Sequence, residues 1–324
     1  MRTTERGSAL LAVLWLSAAL AAVALALSMT VRGETEREST AVDGLRSYYL
    51  ASGAIERAEL DLLWSMMYPA RRTIPQGAAE VTYEFPSGEA RVEIIPETAK
   101  LDVNHTPVER LFQLLEALGV EPGRARDIAL AIDDWRKPNP LGDSQFDAYY
   151  LSLNPSFHSP HASFHEIEEL LLVKGVTPDI FYGTWIPQPE PGNGPRLVER
   201  DGLADCLTVY GSGNLVDINT ARPAVLAAMG LTPATIAALV ARRQAAPFTT
   251  RDLLPFLQGL GAPATGLRVG GNSIVTFRAT ARLRLQNEQL SDLRRTVAAQ
   301  VKYLPAGYDA PFHVLRWYDT AWSY

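Results

Sequence analysis

Three histidines, His158, His161 and His165, fall within eight residues, close enough for their imidazoles to converge on a metal ion. They stand among Ser159, Pro160 and Ser163, the composition of a solvated loop, and a loop is the expectation. Four carboxylates, Asp133, Asp134, Asp143 and Asp147, surround a proline-containing turn and present the oxygen ligands that calcium prefers. Their spacing matches no calcium loop, and a helix end followed by a solvated turn accounts for them equally. Calcium is left without an assigned site, and no cofactor is expected. Gly211-Ser212-Gly213 lacks the later glycine and helix entry of a dinucleotide loop and reads as a turn. Cys206, the single cysteine, lies in the apolar run LADCLTVY and reads as a small core residue. No G-x-S-x-G, H-E-x-x-H, C-x-x-C or P-loop occurs. With no nucleophile, base and stabiliser in one place, the chain is not expected to be an enzyme.

The most informative stretch carries no reactive group. Between Ser8 and Val31 there is no charged residue, in a chain that is 47% hydrophobic and 20% charged overall. As a helix these positions span about 36 Å, enough to cross a bilayer core. Arg2 and Arg6 precede the stretch and Glu34 to Glu38 follow it, which places the N-terminus in the cytoplasm and the rest outside. Ala24-Leu25-Ala26 offers the competing reading, a secretory signal cleaved before Leu27. The apolar block runs on through Leu27, Met29 and Val31 without a polar segment, which favours the anchor. The formal net charge of −6 gives no electrostatic footprint for nucleic acid, and a lone cysteine makes no internal disulfide.

Several elements must position whatever this anchor carries. Val42, Leu45, Tyr49, Ser52, Ile55 and Leu62 recur at three- and four-residue steps, so the helix continues to about Met67, where Pro69 closes it. Gly44 and Gly53 are the points at which a bend is expected. A hairpin follows, with Val81, Tyr83 and Phe85 on one strand, Ala90, Val92 and Ile94 on the other, and Pro86-Ser87-Gly88 at the turn. Far downstream Val275, Phe277, Ala279, Ala281, Leu283 and Leu285 alternate with Thr276, Arg278, Thr280, Arg282 and Arg284, a half-buried strand with a basic solvent face. Residues 297–303 and 313–318 add two more strands, and Trp317, Tyr318, Trp322 and Tyr324 read as strand residues packing on the sheet. The stretch 101–260 is mostly helical. The expected organisation is one α/β body from 32–100 and 261–324, interrupted by an inserted helical domain at 101–260.

The insertion repeats, in halves at 101–178 and 216–260. LDVNHTP at 101–107 matches VDINTARP at 216–223, and ALGVEP at 117–122 matches AMGLTP at 228–233. Asn219 and Thr220 are placed to cap the helix that Pro223 enters. The layout resembles the helix-hairpin-helix (SAM-like) module of DNA-binding proteins, in which a Gly-x-Gly hairpin lets backbone amides approach a phosphate. Here the hairpins read Gly119-Val120-Glu121 and Gly230-Leu231-Thr232, without the second glycine. A helical scaffold is the expectation, and a periplasmic or membrane-tethered helix-hairpin-helix DNA-binding protein for DNA uptake is the alternative.

RGSALLAVLW (6–15), SYYLASGAIERA (47–58), LDVN (101–104), IDDW (132–135), IEELLLVKGVTP (167–178) and LTVYGSGNLVDINTARPAVLAAM (207–229) together resemble the K-type minor pseudopilin of bacterial type II secretion systems. The resemblance implies an α+β, type IV pilin-like fold: a long N-terminal helix on an antiparallel sheet, with a large all-α domain inserted. It implies a leader at 1–7 cut after Gly7 by a prepilin peptidase, leaving Ser8 as a new, N-methylated terminus of an assembly helix at 8–31. Leu10, Leu11, Leu14, Trp15, Leu16, Leu20 and Val23 would face lipid or neighbouring subunits, and Val42, Leu45, Tyr49 and Ile55 would face a partner helix. Most pilin-like subunits carry Glu at the fifth mature position, and here that position is Ala12. A subunit lacking this carboxylate belongs at a tip, since it offers nothing to a neighbour's terminal ammonium. Implied partners are the I-type and J-type minor pseudopilins, other pseudopilins, the secretion platform and the inner membrane, with no nucleic acid. The head would be periplasmic. Lys137, Pro138 and Asn139 stand where the family carries further acidic residues, so no calcium ligand is carried over.

Overall fold

In the computed structural model, residues 5–75, 77–139, 144–190, 193–211, 215–271, 273–304 and 307–321 are described; of 5–9, 188–190, 193, 195 and 199 only the backbone is. Arg2, Asp143, Ser212, Gly213, Trp322 and Tyr324 lie outside the described residues. The chain opens with α1 (Glu5–Met67), then β1 (Glu80–Phe85), β2 (Gly88–Pro96) and β3 (Leu101–Asp102). Helices α2 (Val108–Ala117), α3 (Pro122–Arg136), α4 (Asp147–Leu151) and α5 (Pro178–Tyr182) lead to a ribbon of β4 (Thr184–Glu190) and β5 (Asn193–Arg200). Next come α6 (Leu203–Cys206), β6 (Leu207–Thr208), β7 (Val216–Asp217), α7 (Pro223–Ala228), α8 (Pro233–Ala245), α9 (Thr250–Gly259) and β8 (Leu267–Arg268). The chain finishes with β9 (Ile274–Arg284), β10 (Leu290–Tyr303) and β11 (Phe312–Tyr318).

The 63 residues of α1 form one helix, unbroken through Gly44 and Gly53, about 95 Å long. No bend breaks it at either glycine. Its lower part touches nothing, and only from Ser47 does one side become buried. There Leu50, Ala51, Ala54, Ile55 and Ala58 lie against an antiparallel sheet of order β1-β2-β9-β10-β11, the small alanines letting the helix sit close. The register lines up Val92, Ala279 and Val297 across three strands, and Ile94, Phe277, Ala299 and Trp317 across four. The alternation expected for β9 thus becomes the core face of the sheet.

The other face of β9 is not open to solvent along its length. Arg278 is buried beneath the inserted domain, bonded to Glu93 of β2 at 2.8 Å and to Asp205 of α6 at 3.4 Å. Arg222, just before α7, joins Glu93 at 3.8 Å and Asp201 at 3.5 Å. The charged face of β9 expected to meet water is here the seat of the insertion. At the sheet edge, Arg316 of β11 reaches Glu166 and Glu168 at 2.5 and 3.4 Å.

The sequence repeat is a structural one. In the first copy β3 pairs in parallel with β6, and in the second β7 pairs in parallel with β8. Arg136 at the end of α3 donates to the carbonyls of Val103 and Thr106, and Arg243 of α8 donates to those of Ile218 and Ala221. Both hairpins turn through a left-handed glycine, Gly119 (φ 77°) and Gly230 (φ 88°). There Val120 N–H bonds Leu115 O, and Leu231 N–H bonds Leu226 O, closing each helix in a Schellman turn.

Three expectations need correction. Asn219 and Thr220 do not cap α7, whose cap is Arg222 without a side-chain bond; Thr220 donates to Asp217 at 2.6 Å and Asn219 holds a distant segment. The insertion does not end at 260, because β8 pairs with β7 and Ala262, Ala264, Leu267 and Val269 pack into the helical core. Nor is it wholly helical: the β4–β5 ribbon separates its copies, its prolines having hidden the strand alternation.

Candidate assembly surface

Among the described residues one helix, α1, is long and apolar enough to cross a membrane. Leu10, Leu11, Leu14, Trp15, Leu16, Leu20 and Val23 are exposed on all sides of it, since none of the described residues covers them. Two of its polar side chains are satisfied locally: the Ser17 hydroxyl donates to Leu14 O at 3.0 Å and that of Thr30 to Ala26 O at 3.0 Å. Such bonds let hydroxyls enter lipid without orphaned groups. Ala12 presents a methyl group in this span, and Gly7 and Ser8 lie in the first turns, where the backbone alone is described.

Above the apolar span, α1 has two apolar faces. One is the alanine-rich face against the sheet. Ile55 belongs to that face, fully buried at 0% exposure, and not to the outward one, because it lies about 120° around the helix from Tyr49 and about 140° from Leu60. The outward face carries Val42, Leu45 and Tyr49, the last 65% exposed, and continues through Leu60, Trp64 and Met67. The upper three were missed in the sequence because Gly53 and Glu56 interrupt the stripe, although its three- and four-residue steps resume beyond them. Trp64 packs on Tyr68 with ring centroids 4.4 Å apart and planes tilted by 41°, and donates its indole N–H to Arg71 O at 3.1 Å, which fixes the upper end.

On the sheet side Glu59 is buried, and its Oε1 has no hydrogen-bond partner among the described residues. Desolvation, with a smaller contribution from Glu56, pushes this carboxyl up to about 7.

Other candidate groups are occupied within the chain. Asp133 bonds Arg136 and Lys137, Asp134 accepts from Ser144, and Asp147 accepts from His161 Nε2 at 3.0 Å. His161 Nδ1 faces the Asp134 carbonyl at 3.1 Å. His158, His161 and His165 do not converge, and no group of three or more His, Cys, Asp or Glu is arranged for a metal among the described residues. Of the four carboxylates, Asp133, Asp134 and Asp147 each have partners within the chain, and Asp143 lies outside the described residues. Cys206 is buried, and burial raises its thiol well above the usual range. At the N-terminus of α3, where a phosphate would sit in a DNA-binding hairpin, the Glu121 carboxylate already accepts from Gly123 and Arg124 N–H, both at 2.9 Å. Those amide bonds hold its carboxyl below the usual range, so the seat already carries a negative charge.

Two family models, each described as type II secretion system (T2SS), protein K, match residues 92–182 and 216–269. A curated relative, type II secretion system protein K of Klebsiella pneumoniae, is 26% identical over 200 residues, 54% of this chain. The match spans 60% of that protein, less than two thirds of its length. Among solved structures, a chain of the GspK-GspI-GspJ complex from the enterotoxigenic Escherichia coli type 2 secretion system has the same fold, with TM-score 0.51 at 16% identity. That match covers 86% of this chain and 98% of the other. The second family segment ends at 269, where β8 closes the second repeat.

Proposed function

Starting from a chain of the type II secretion protein K type, we propose that it is a minor pseudopilin that initiates or caps a pseudopilus and so supports protein export across the outer membrane. The observation that carries the reading is α1: uncovered through its apolar span and again along the outward face at Val42, Leu45 and Tyr49, it is built to be covered by other subunits. The I-type and J-type minor pseudopilins are the proposed partners, and the similar solved chain comes from a complex that also holds GspI and GspJ. The proposed role is structural, without catalysis, and no metal site is assigned.

In this reading a prepilin peptidase cuts after Gly7, and Ser8 becomes the terminus of a single-pass inner-membrane helix with its head in the periplasm. Ala12 offers no carboxylate to a following subunit, while the Ser8 ammonium can still be received by a preceding one; this one-sidedness fits a tip. Sequencing the N-terminus of membrane-extracted protein tests the reading: Ser8 is expected, and Leu27 would instead mean an ordinary secretory signal. Co-purification with the I-type and J-type subunits is expected alongside. Retention of DNA at physiological salt without any pseudopilin would overturn the assignment.

A further inference from the structure

The outward face of α1 is divided. Val42, Leu45 and Tyr49 form a lower apolar block, and Leu60, Trp64 and Met67 an upper one. Gly53 lies between them on the same arc, with Glu56 almost one turn on. Glycine is among the poorest residues for a helix interior, so its presence here weakens α1. Nothing among the described residues accounts for it: a Cβ at Gly53 would meet no atom of theirs within 4 Å. The close packing of α1 on the sheet is done instead by Ala51, Ala54 and Ala58 on the opposite side. A bare stretch of backbone flanked by large apolar side chains is the shape into which a second helix can press closely.

We infer that a helix from a neighbouring subunit crosses α1 at Gly53, its backbone seated on the glycine. Its apolar side chains pack on Tyr49 below and on Leu60 and Trp64 above, and a lysine or arginine it carries meets Glu56. The inference rests on the pseudopilin reading and adds to it the crossing point and the partner's chemistry. The occupant is a long, apolar-faced helix rooted in the same membrane, because the outward face is continuous with the uncovered apolar span and two such spans side by side bring their upper halves together. Charge points the same way. Glu56 is exposed, is the one acidic residue on this arc between Tyr49 and Met67, and makes no ion pair among the described residues.

The test uses the full chain, extracted from membranes in which the I-type and J-type pseudopilins are co-expressed. Gly53→Leu starts from a Cβ that meets no atom within 4 Å and improves helix propensity, so its thermal midpoint is expected to equal or exceed that of the unsubstituted chain. Its yield of co-purified pseudopilin is expected to fall at least tenfold. Glu56→Lys is expected to lower that yield as well, and Glu56→Gln to lower it less. Undiminished yield with Gly53→Leu overturns the crossing, and so does a lowered midpoint, which would mean that the chain itself packs on Gly53. If the unsubstituted chain captures no pseudopilin, the failure belongs to the pseudopilin reading.

Discussion

Asn219 holds the backbone of Phe248 with both ends of its amide, Oδ1 accepting the Phe248 N–H at 2.7 Å and Nδ2 donating to the Phe248 carbonyl at 3.0 Å. Asn104 does the same to Phe164 in the other copy, at 2.7 and 3.0 Å. These paired clamps fasten the last segment of each repeat to its first strand.

Substituting Asn219 by alanine leaves a buried N–H and a buried carbonyl without partners, at a cost of about 2–4 kcal/mol. Asn219→Asp keeps the acceptor and loses the donor, and is expected to be nearly as damaging. Urea unfolding followed by circular dichroism measures both. A loss under about 0.5 kcal/mol for Asn219→Ala would show that the clamp is not holding the segment.

Glu59 makes stability fall as pH rises. Its folded value of about 7 lies above the ordinary carboxyl value of 4.5, so the folded state binds the proton more tightly. Protection is complete below pH 4.5 and is lost as pH rises through 7, an effect on the order of 2–3 kcal/mol once the ~3.4 kcal/mol of the full shift is reduced for solvent screening. Glu59→Gln is therefore expected to raise the thermal midpoint at pH 8 and leave it nearly unchanged at pH 4.5. Equal shifts at both pH values would contradict this origin.

His161 works in the same direction by another route. Burial opposes its charge, but the bonds to Asp147 and to the Asp134 carbonyl outweigh burial and raise its value above 6.5. Its contribution is full below 6.5 and disappears as pH rises through the raised folded value. For Asp147 burial is again opposed, and the Ser144 and His161 bonds lower the carboxyl, so its share is present above 3.8 and lost in acid. The pair stabilises most between those limits. His161→Gln should cost about 1–2 kcal/mol near pH 5.5 and much less at pH 8.5, as read from paired denaturation curves.

Arg278→Ala removes the cation between Glu93 and Asp205 and leaves both carboxylates beneath the insertion, at a cost of about 3–5 kcal/mol. Protease cleavage around 97–101 and 269–274, where the chain passes between sheet and insertion, should speed up in the variant. Unchanged cleavage there would place the fastening elsewhere.

Much of this fold was legible because its signals are local. Strict alternation marked β9 and the hairpin, and the LDVN and VDIN echoes marked the repeat, whereas β10 begins at Leu290, seven residues before the strand expected at 297. What stayed hidden depends on distant partners. Asn219 looked like a cap because Phe248, which it holds, lies 29 residues on. Arg278 looked solvated because Asp205, which covers it, lies 73 residues back. Ile55 was assigned to the wrong side because α1 is apolar on two faces, and period alone cannot say which one meets the sheet. The upper half of the outward face was lost to the same glycine that now gives it meaning.

The stretch of α1 between Val31 and Ser47 carries no cover from the sheet. At 1.5 Å and 100° per residue it is about 24 Å tall, and it fixes both the height of the head above the lipid and the compass bearing on which the head is presented. It is a ruler and a dial in one piece. Removing three residues from it would lower the head by about 4.5 Å and turn it by about 60°. Removing seven would lower it by more than twice as much and turn it by only about 20°.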